Sequence, residues 1–297
     1  MNRLVAASKK IILPQNYYQN KKILITGGGS GLGKQMALHY SKLGGEVTII
    51  GRSIQKLRNT ADEIDFETQN RPRYESVDVR ENPSILRLVN QMVTQDQFPD
   101  IVINNAAGNF ICRSEDLSYN GWNSILDIVL KGTLNMTLEF GKKMIELEKP
   151  GVFLNISTTY AETGSGYVMP SSVAKAGCNN MTRSLAAEWG KYGIRLNSVA
   201  PGPIHTEGAF SRLDPGNKFS DIAKDNLPLG RFGEKEEIAN LVTYLTTEEN
   251  GWMTGQVFNL DGGEVVGNSG EFNLLRNVSD TEWKMYRKMS QMKKIFS

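Results

Sequence analysis

Short apolar runs alternate with longer stretches of helical periodicity along nearly the whole chain. The run Lys22-Ile23-Leu24-Ile25-Thr26 predicts a buried strand, and further strands are expected at 46–50, 74–77, 101–104, 152–156, 195–199 and 256–260. Between them, apolar residues recur at helical spacing over 32–43, 54–66, 84–93, 122–147, 171–192 and 234–245. Strand followed by helix, repeated without interruption, predicts an α/β domain built on one parallel, doubly wound sheet with helices on both faces. No linker and no internal repeat divides the 297 residues, so one domain is expected over 1–297. Its exceptions are an arm at 1–20, a segment at 203–229 and a tail at 271–297. The middle segment breaks the alternation beyond the carboxyl end of a strand, where such folds carry a substrate lid. The tail is expected to be helical at best and to cover a partner subunit.

Composition narrows the functional classes. Net charge is +2, with no basic footprint for nucleic acid. No apolar run approaches the ~20 residues of a bilayer-spanning helix. Cys112 and Cys178 do not make a disulfide framework, which favours a reducing compartment. Histidine is confined to His39 and His205, and no His/Cys cluster has metal-ligand spacing, so no metal is expected. The first acidic residue is Glu46. The basic start is compatible with the remnant of a transit peptide; a short N-terminal arm is the preferred expectation.

The glycines change the picture most. Thr26-Gly27-Gly28-Gly29-Ser30-Gly31-Leu32-Gly33 follows a strand and opens a helix, the context a dinucleotide-binding turn requires. Without side chains the backbone can turn tightly and approach a pyrophosphate, and the helix N-terminus presents free N–H groups to it. The sheet is therefore expected to be of the Rossmann type. After the second strand comes Gly51-Arg52-Ser53, with no acid to bind a ribose 2′-hydroxyl. Arg52, with Ser53 beside it, suits a 2′-phosphate, and NADPH is the expected cofactor.

These segments, together with Asn104-Asn105-Ala106-Ala107-Gly108, resemble the short-chain dehydrogenase/reductase family. The resemblance implies that Asp78 accepts from the adenine amino group and that Pro201, Gly202, Pro203 and Ile204 line the nicotinamide. Most members carry Tyr-x-x-x-Lys; here Lys175 is kept and Ser171 stands in the tyrosine's place. Counting back from Ser171 and from Gly132 to two other usual polar groups gives Thr158 and Val129, and the valine cannot act. One branch shares these departures, the 2,4-dienoyl-CoA reductases, and the likeness is to the mitochondrial type. It runs from about residue 13 to the tail. It rests on Ile103 to Phe110, Tyr160-Ala161-Glu162-Thr163-Gly164-Ser165-Gly166, the segment 184–193 and the segment 208–215.

That resemblance implies NADPH-dependent reduction of a 2,4-dienoyl thioester to a trans-3-enoyl-CoA in β-oxidation. Asn109 and Tyr160 are the implied donors to the thioester oxygen, and Tyr160 the acid that protonates the α-carbon. Lys175 would hold the nicotinamide ribose, and Ser171 would be a supporting polar group. Arg80, Phe110, Ser118 and Arg212 are the carried-over acyl-CoA contacts, and His205 is read as part of the lid. A homotetramer is implied, in the mitochondrial matrix or a bacterial cytoplasm. Two other classes remain open at this point: a 3-oxoacyl or other carbonyl reductase of the same fold, and an NADPH-binding protein without turnover.

Overall fold

The computed structural model describes residues 6–204, 206 and 224–293. Among these, seven strands form one sheet in the order β3-β2-β1-β4-β5-β6-β7, every neighbouring pair parallel. The strands are β1 Lys22–Thr26, β2 Glu46–Gly51, β3 Arg73–Ser76, β4 Ile101–Asn104, β5 Gly151–Ile156, β6 Ile194–Pro201 and β7 Val257–Leu260. The chain winds outward from β1 to β3, returns beside β1 as β4, and winds outward again. The order thus reverses between β1 and β4, opening the crevice at their carboxyl ends where such sheets take ligands.

Alternation of side chains along the strands feeds two cores. Ile23 and Ile25 of β1 enter one with Met36, Tyr40, Leu57, Ile238 and Val242; Leu24 enters the other with Leu88, Phe140, Phe153 and Leu196. Helices α1 (Gly31–Lys42), α2 (Ile54–Thr68) and α8 (Lys235–Leu245) therefore cover one face. Helices α3 (Asn82–Thr94), α5 (Gly132–Glu146) and α7 (Met169–Trp189) cover the opposite face. Close approach of α5 to α7 requires Gly141, where an added Cβ would meet the Trp189 ring at 2.3 Å. The expected single parallel sheet with helices on both faces is the observed one.

A buried polar row aligns the central strands just below the crevice. Asn104 pairs in register with Asn155, and Asn155 with Ser198. Asn104 donates to Asn155 Oδ1 at 2.8 Å, Asn155 donates to Thr182 Oγ1 at 2.8 Å, and Thr182 meets Ser198 Oγ at 2.9 Å. Slipping any of these strands by one residue would bury these groups without partners, which costs about 1–3 kcal/mol each. The row fixes the level at which β4, β5 and β6 release their site-bearing loops.

Two local features depart from the sequence expectation. The helical stretch expected at 122–147 is broken into α4 (Tyr119–Ile125), a π-helical turn (Leu126–Lys131) and α5. The Val129 carbonyl in that turn accepts from Thr133 Oγ1 at 2.6 Å and from Cys178 Sγ at 3.5 Å. Two short helices were not foreseen, α6 (Tyr160–Thr163) and α9 (Glu264–Ser269); each is too short to leave a periodic pattern. The tail carries a helix, α10 (Asp280–Lys293). Of the expected arm, Tyr18 is buried and its hydroxyl donates to the Thr243 carbonyl at 2.5 Å, tying the segment to α8.

Candidate functional site

The loop from β1 into α1 lies at the reversal of strand order. Gly27 and Gly31 have φ of +67° and +55°, a region open to glycine and costly for other residues. An added Cβ at Gly33 would stand 2.4 Å from the Gly27 carbonyl oxygen, and one at Gly28 2.5 Å from Ile49 Cβ. The loop is thus folded too tightly for side chains, and it leaves a bare backbone cradle running into the N-terminus of a 12-residue helix. Ser30 occupies the N-cap position but its hydroxyl makes no cap bond. Thr26 fastens the cradle to the neighbouring loop, accepting at Oγ1 from the Asn105 and Ala106 amides at 2.9 and 2.8 Å. Asn105 returns a bond to the Thr26 carbonyl at 2.9 Å. Such a surface fits a dinucleotide pyrophosphate.

At the outer end of this crevice, Arg52 and Ser53 follow β2 as expected. Both are exposed, and Ser53 Oγ caps α2 by accepting from Lys56 N–H at 3.4 Å. Asp78 follows β3. Its carboxylate accepts from the Arg80 guanidinium (Nη2 at 2.6 Å, Nε at 3.0 Å) and from the Arg80 amide at 3.0 Å. The bonds from Arg80, aided by the charge of Arg52, hold Asp78 below the usual carboxylate range. Arg80 therefore stands paired with Asp78 in this structure.

The inner end is built from the loops after β4 and β5 and from α7. Asn109 accepts at Oδ1 from the Phe110 amide at 2.9 Å, which leaves its NH2 group to donate. That group donates to the Tyr160 hydroxyl at 3.1 Å. Ser171 Oγ lies 3.3 Å from the same hydroxyl. Ser172 Oγ, next along α7, donates to the Tyr160 carbonyl at 2.8 Å and pins the turn. One helical turn beyond Ser171, Lys175 reaches down to donate to the Ile156 carbonyl. Lys175 is 7% exposed, and burial holds its ammonium below the usual lysine range, with the nearby Cys178 acting the opposite way. Four residues named from the sequence, Asn109, Tyr160, Ser171 and Lys175, are thus gathered from three elements. Val129 is fully buried among Ile125, Ala174 and Cys178, a packing residue as its side chain requires.

Pro201 ends β6, and the chain through Gly202, Pro203 and Ile204 is held from both sides. Gly202 N–H donates to the Leu260 carbonyl at 3.0 Å, Gly233 N–H donates to the Pro203 carbonyl at 3.0 Å, and Ile204 bridges to Gly233. Phe110 packs against the Ile125–Val129–Cys178 cluster, on the loop that Asn109 opens. Ser118 accepts at Oγ from Gly121 N–H at 3.1 Å, the N-cap of α4. His205 and Arg212 lie outside the described residues. Two groups escaped the sequence reading. Thr159, immediately before Tyr160, donates its hydroxyl to Glu264 Oε2 at 2.9 Å. The two are 105 residues apart, and no spacing rule connects them.

The family model described as enoyl-(acyl carrier protein) reductase matches residues 27–264. A Caenorhabditis elegans protein named as a probable (3E)-enoyl-CoA-producing 2,4-dienoyl-CoA reductase is 41% identical, over 87% of this chain and 85% of its own. A Bacillus subtilis protein named as a probable (2E)-enoyl-CoA-producing 2,4-dienoyl-CoA reductase is 40% identical, over 83% of this chain and 97% of its own. The crystal structure of a short-chain dehydrogenase from Bacillus anthracis superposes with a TM-score of 0.73 at 40% identity, covering 82% of this chain and 96% of that one.

Proposed function

The chain belongs to the short-chain dehydrogenase/reductase family, and from that membership we propose that it is an NADPH-dependent 2,4-dienoyl-CoA reductase. The observation that carries this reading is the meeting of Asn109 and Tyr160 at 3.1 Å, with Ser171 where the family's usual acid would stand and Lys175 buried one helical turn beyond it. The relatives named as 2,4-dienoyl-CoA reductases support the substrate class.

Members of this family use a nicotinamide cofactor, and the bare glycine cradle fits its pyrophosphate. Arg52 favours the 2′-phosphorylated form, since a guanidinium makes charge-assisted bonds to phosphate and no carboxylate follows β2 to repel it. Asp78 meets the adenosine, and the 201–204 segment borders the nicotinamide. When bound, NADPH supplies a hydride for C5 of the dienoyl thioester.

The residues of the chain manage the charge and proton that follow. As electrons move toward the thioester oxygen, Asn109 and Tyr160 donate hydrogen bonds to it. These bonds strengthen as charge grows, so they stabilise the transition state more than the substrate. Tyr160 then releases its proton to the α-carbon, which leaves a trans-3-enoyl-CoA. Lys175 holds the nicotinamide ribose. Ser171 supports the Tyr160 hydroxyl. Arg80, Phe110, Ser118 and Arg212 take the acyl-CoA, with the 203–229 segment as lid. In this assembly the tail packs on a partner and the enzyme is a homotetramer in the mitochondrial matrix or a bacterial cytoplasm. Both cysteines are free, as a reducing compartment would keep them. No described helix is long and apolar enough to cross a membrane.

The test is to mix the protein with NADPH and trans,trans-2,4-hexadienoyl-CoA, follow the absorbance of each, and place the product double bond by NMR. Equal loss of both absorbances with a 3-enoyl product is expected. Turnover of acetoacetyl-CoA but not of the dienoyl thioester would assign a carbonyl reductase instead. Tight NADPH binding without turnover of either would leave a binding protein. Light scattering at the mass of one chain would refute the tetramer.

A further inference from the structure

Thr159 occupies the N-cap position of α6, the short helix that begins with Tyr160, and is 5% exposed. A threonine there ordinarily turns its hydroxyl back to the helix amides. This one makes no cap bond and reaches across to Glu264 Oε2 at 2.9 Å. Its amide donates to the Pro201 carbonyl at 3.4 Å. The residue before Tyr160 is therefore held by the end of β6 on one side and by the start of α9 on the other. Glu264 gives up water for this contact: burial raises its carboxyl above the usual range, the neighbouring Asp261 charge adds to that, and the Thr159 bond opposes it. A half-buried carboxylate kept in place by a hydroxyl is an uneconomical way to fill space.

Residues 226–229 pack against the α9 segment and the tail. Leu229 N–H donates to the Gly262 carbonyl at 3.2 Å. Pro228 packs so closely that a Cβ added at Gly263 or Gly267 would meet its ring at 3.0 or 2.7 Å. From the tail, Arg276 donates to the Asn226 carbonyl at 3.2 Å. One short helix therefore touches both the turn that bears Tyr160 and the segment 226–229.

We propose that Glu264 is a positioning residue: through Thr159 it sets the turn that bears Tyr160. The inference rests on Tyr160 being the proton donor of the proposed reaction. A displacement of about 1 Å at such a group costs on the order of 100-fold in rate, so losing the Glu264 bond should lower kcat rather than cofactor affinity.

The experiment compares wild type with Glu264→Ala, Glu264→Gln, Thr159→Val, Thr159→Ser, the Glu264→Ala/Thr159→Val double variant and Tyr160→Phe. It measures kcat and KM for hexadienoyl-CoA, and NADPH binding by quenching of tryptophan fluorescence. Glu264→Ala and Thr159→Val should each lower kcat by roughly 10- to 100-fold with NADPH affinity nearly unchanged. Glu264→Gln, which keeps an oxygen acceptor, and Thr159→Ser, which keeps the hydroxyl, should restore most of it. The double variant should be no worse than the weaker single, because both remove one bond. If Glu264→Ala does not fold, as loss of NADPH binding would reveal, the Thr159→Val and Thr159→Ser pair decides alone. A wild-type kcat in Glu264→Ala or Thr159→Val, failure of the conservative variants to rescue, or additive losses in the double variant overturns the inference while leaving the reaction intact. Full turnover in Tyr160→Phe, or none in wild type, overturns the proposed function and the inference with it.

Discussion

The side-chain amide of Asn109 donates to the Tyr160 hydroxyl across 3.1 Å, joining the loops after β4 and β5 although the residues are 51 positions apart. Because Asn109 spends its oxygen on the Phe110 amide, the tyrosine oxygen is an acceptor in this pair and its proton remains available. Ser171 Oγ lies 3.3 Å from the same hydroxyl. Tyr160→Phe should therefore lower kcat by roughly 10²–10⁴-fold, the usual worth of a positioned general acid, with NADPH affinity unchanged. Ser171→Ala should cost less, since it removes only a supporting contact. Steady-state rates with hexadienoyl-CoA decide between them, and the reverse ranking would show that the acid is not Tyr160.

Asn109→Ala removes a donor to the growing thioester charge and a partner of Tyr160 at once. A loss of about 10²–10³-fold in kcat is expected, as for other single oxyanion donors. KM for NADPH should hold, because Asn109 lies at the inner end of the crevice. A selective rise in KM for either substrate with kcat unchanged would mean that Asn109 binds without stabilising the transition state.

The cradle offers a steric test. Gly33→Ala would force a methyl group to within 2.4 Å of the Gly27 carbonyl oxygen, which is backbone and cannot turn aside. The β1–α1 turn should open, and NADPH affinity should fall by at least about 10-fold if pyrophosphate binding depends on that turn. Isothermal titration measures it; unaltered affinity would place the pyrophosphate elsewhere.

Much of this architecture was legible from local pattern. The continuous strands, the helix periods and the strand-turn-helix context of the glycines all follow from neighbours in sequence, so periodicity and turn chemistry locate them. The four inner-site residues were reached by matching motifs, and the structure gathers them because β4 and β5 release their loops at one level, set by Asn104, Asn155 and Ser198. What escaped notice lacks a local signature. The π-helical turn is stabilised by Thr133 and by Cys178, the latter from another helix. The Thr159–Glu264 bond joins segments with no shared period. The pairing of Arg80 with Asp78 depends on how the loop after β3 closes, which two-residue spacing does not reveal.

A last prediction concerns stability. His39 on α1 is 2% exposed, and its Nε2 atom has no hydrogen-bond partner among the described residues. Burial pushes its pKa down to about 4; the charge of Lys42 acts in the same direction, while a bond to the Gln35 backbone and the charge of Glu236 on α8 oppose the shift. In the unfolded chain the imidazole titrates near ~6.5. Above that pH neither state is protonated, and the histidine places no penalty on folding. As pH falls from ~6.5 toward 4, the unfolded chain takes up a proton that the folded one refuses, so stability is lost across that window. The full loss is on the order of 3 kcal/mol, from the 1.36 kcal/mol that each pKa unit represents. Titrating carboxylates add their own slope, so the informative quantity is a difference. His39→Met keeps an apolar side chain of similar bulk and cannot titrate. Unfolding midpoints in urea, measured between pH 7 and 4, should fall less steeply for His39→Met than for wild type, so that the difference between them shifts in the variant's favour toward acid. Parallel curves would show that His39 takes up its proton over the same pH range in the folded as in the unfolded chain, and that burial does not hold its pKa down.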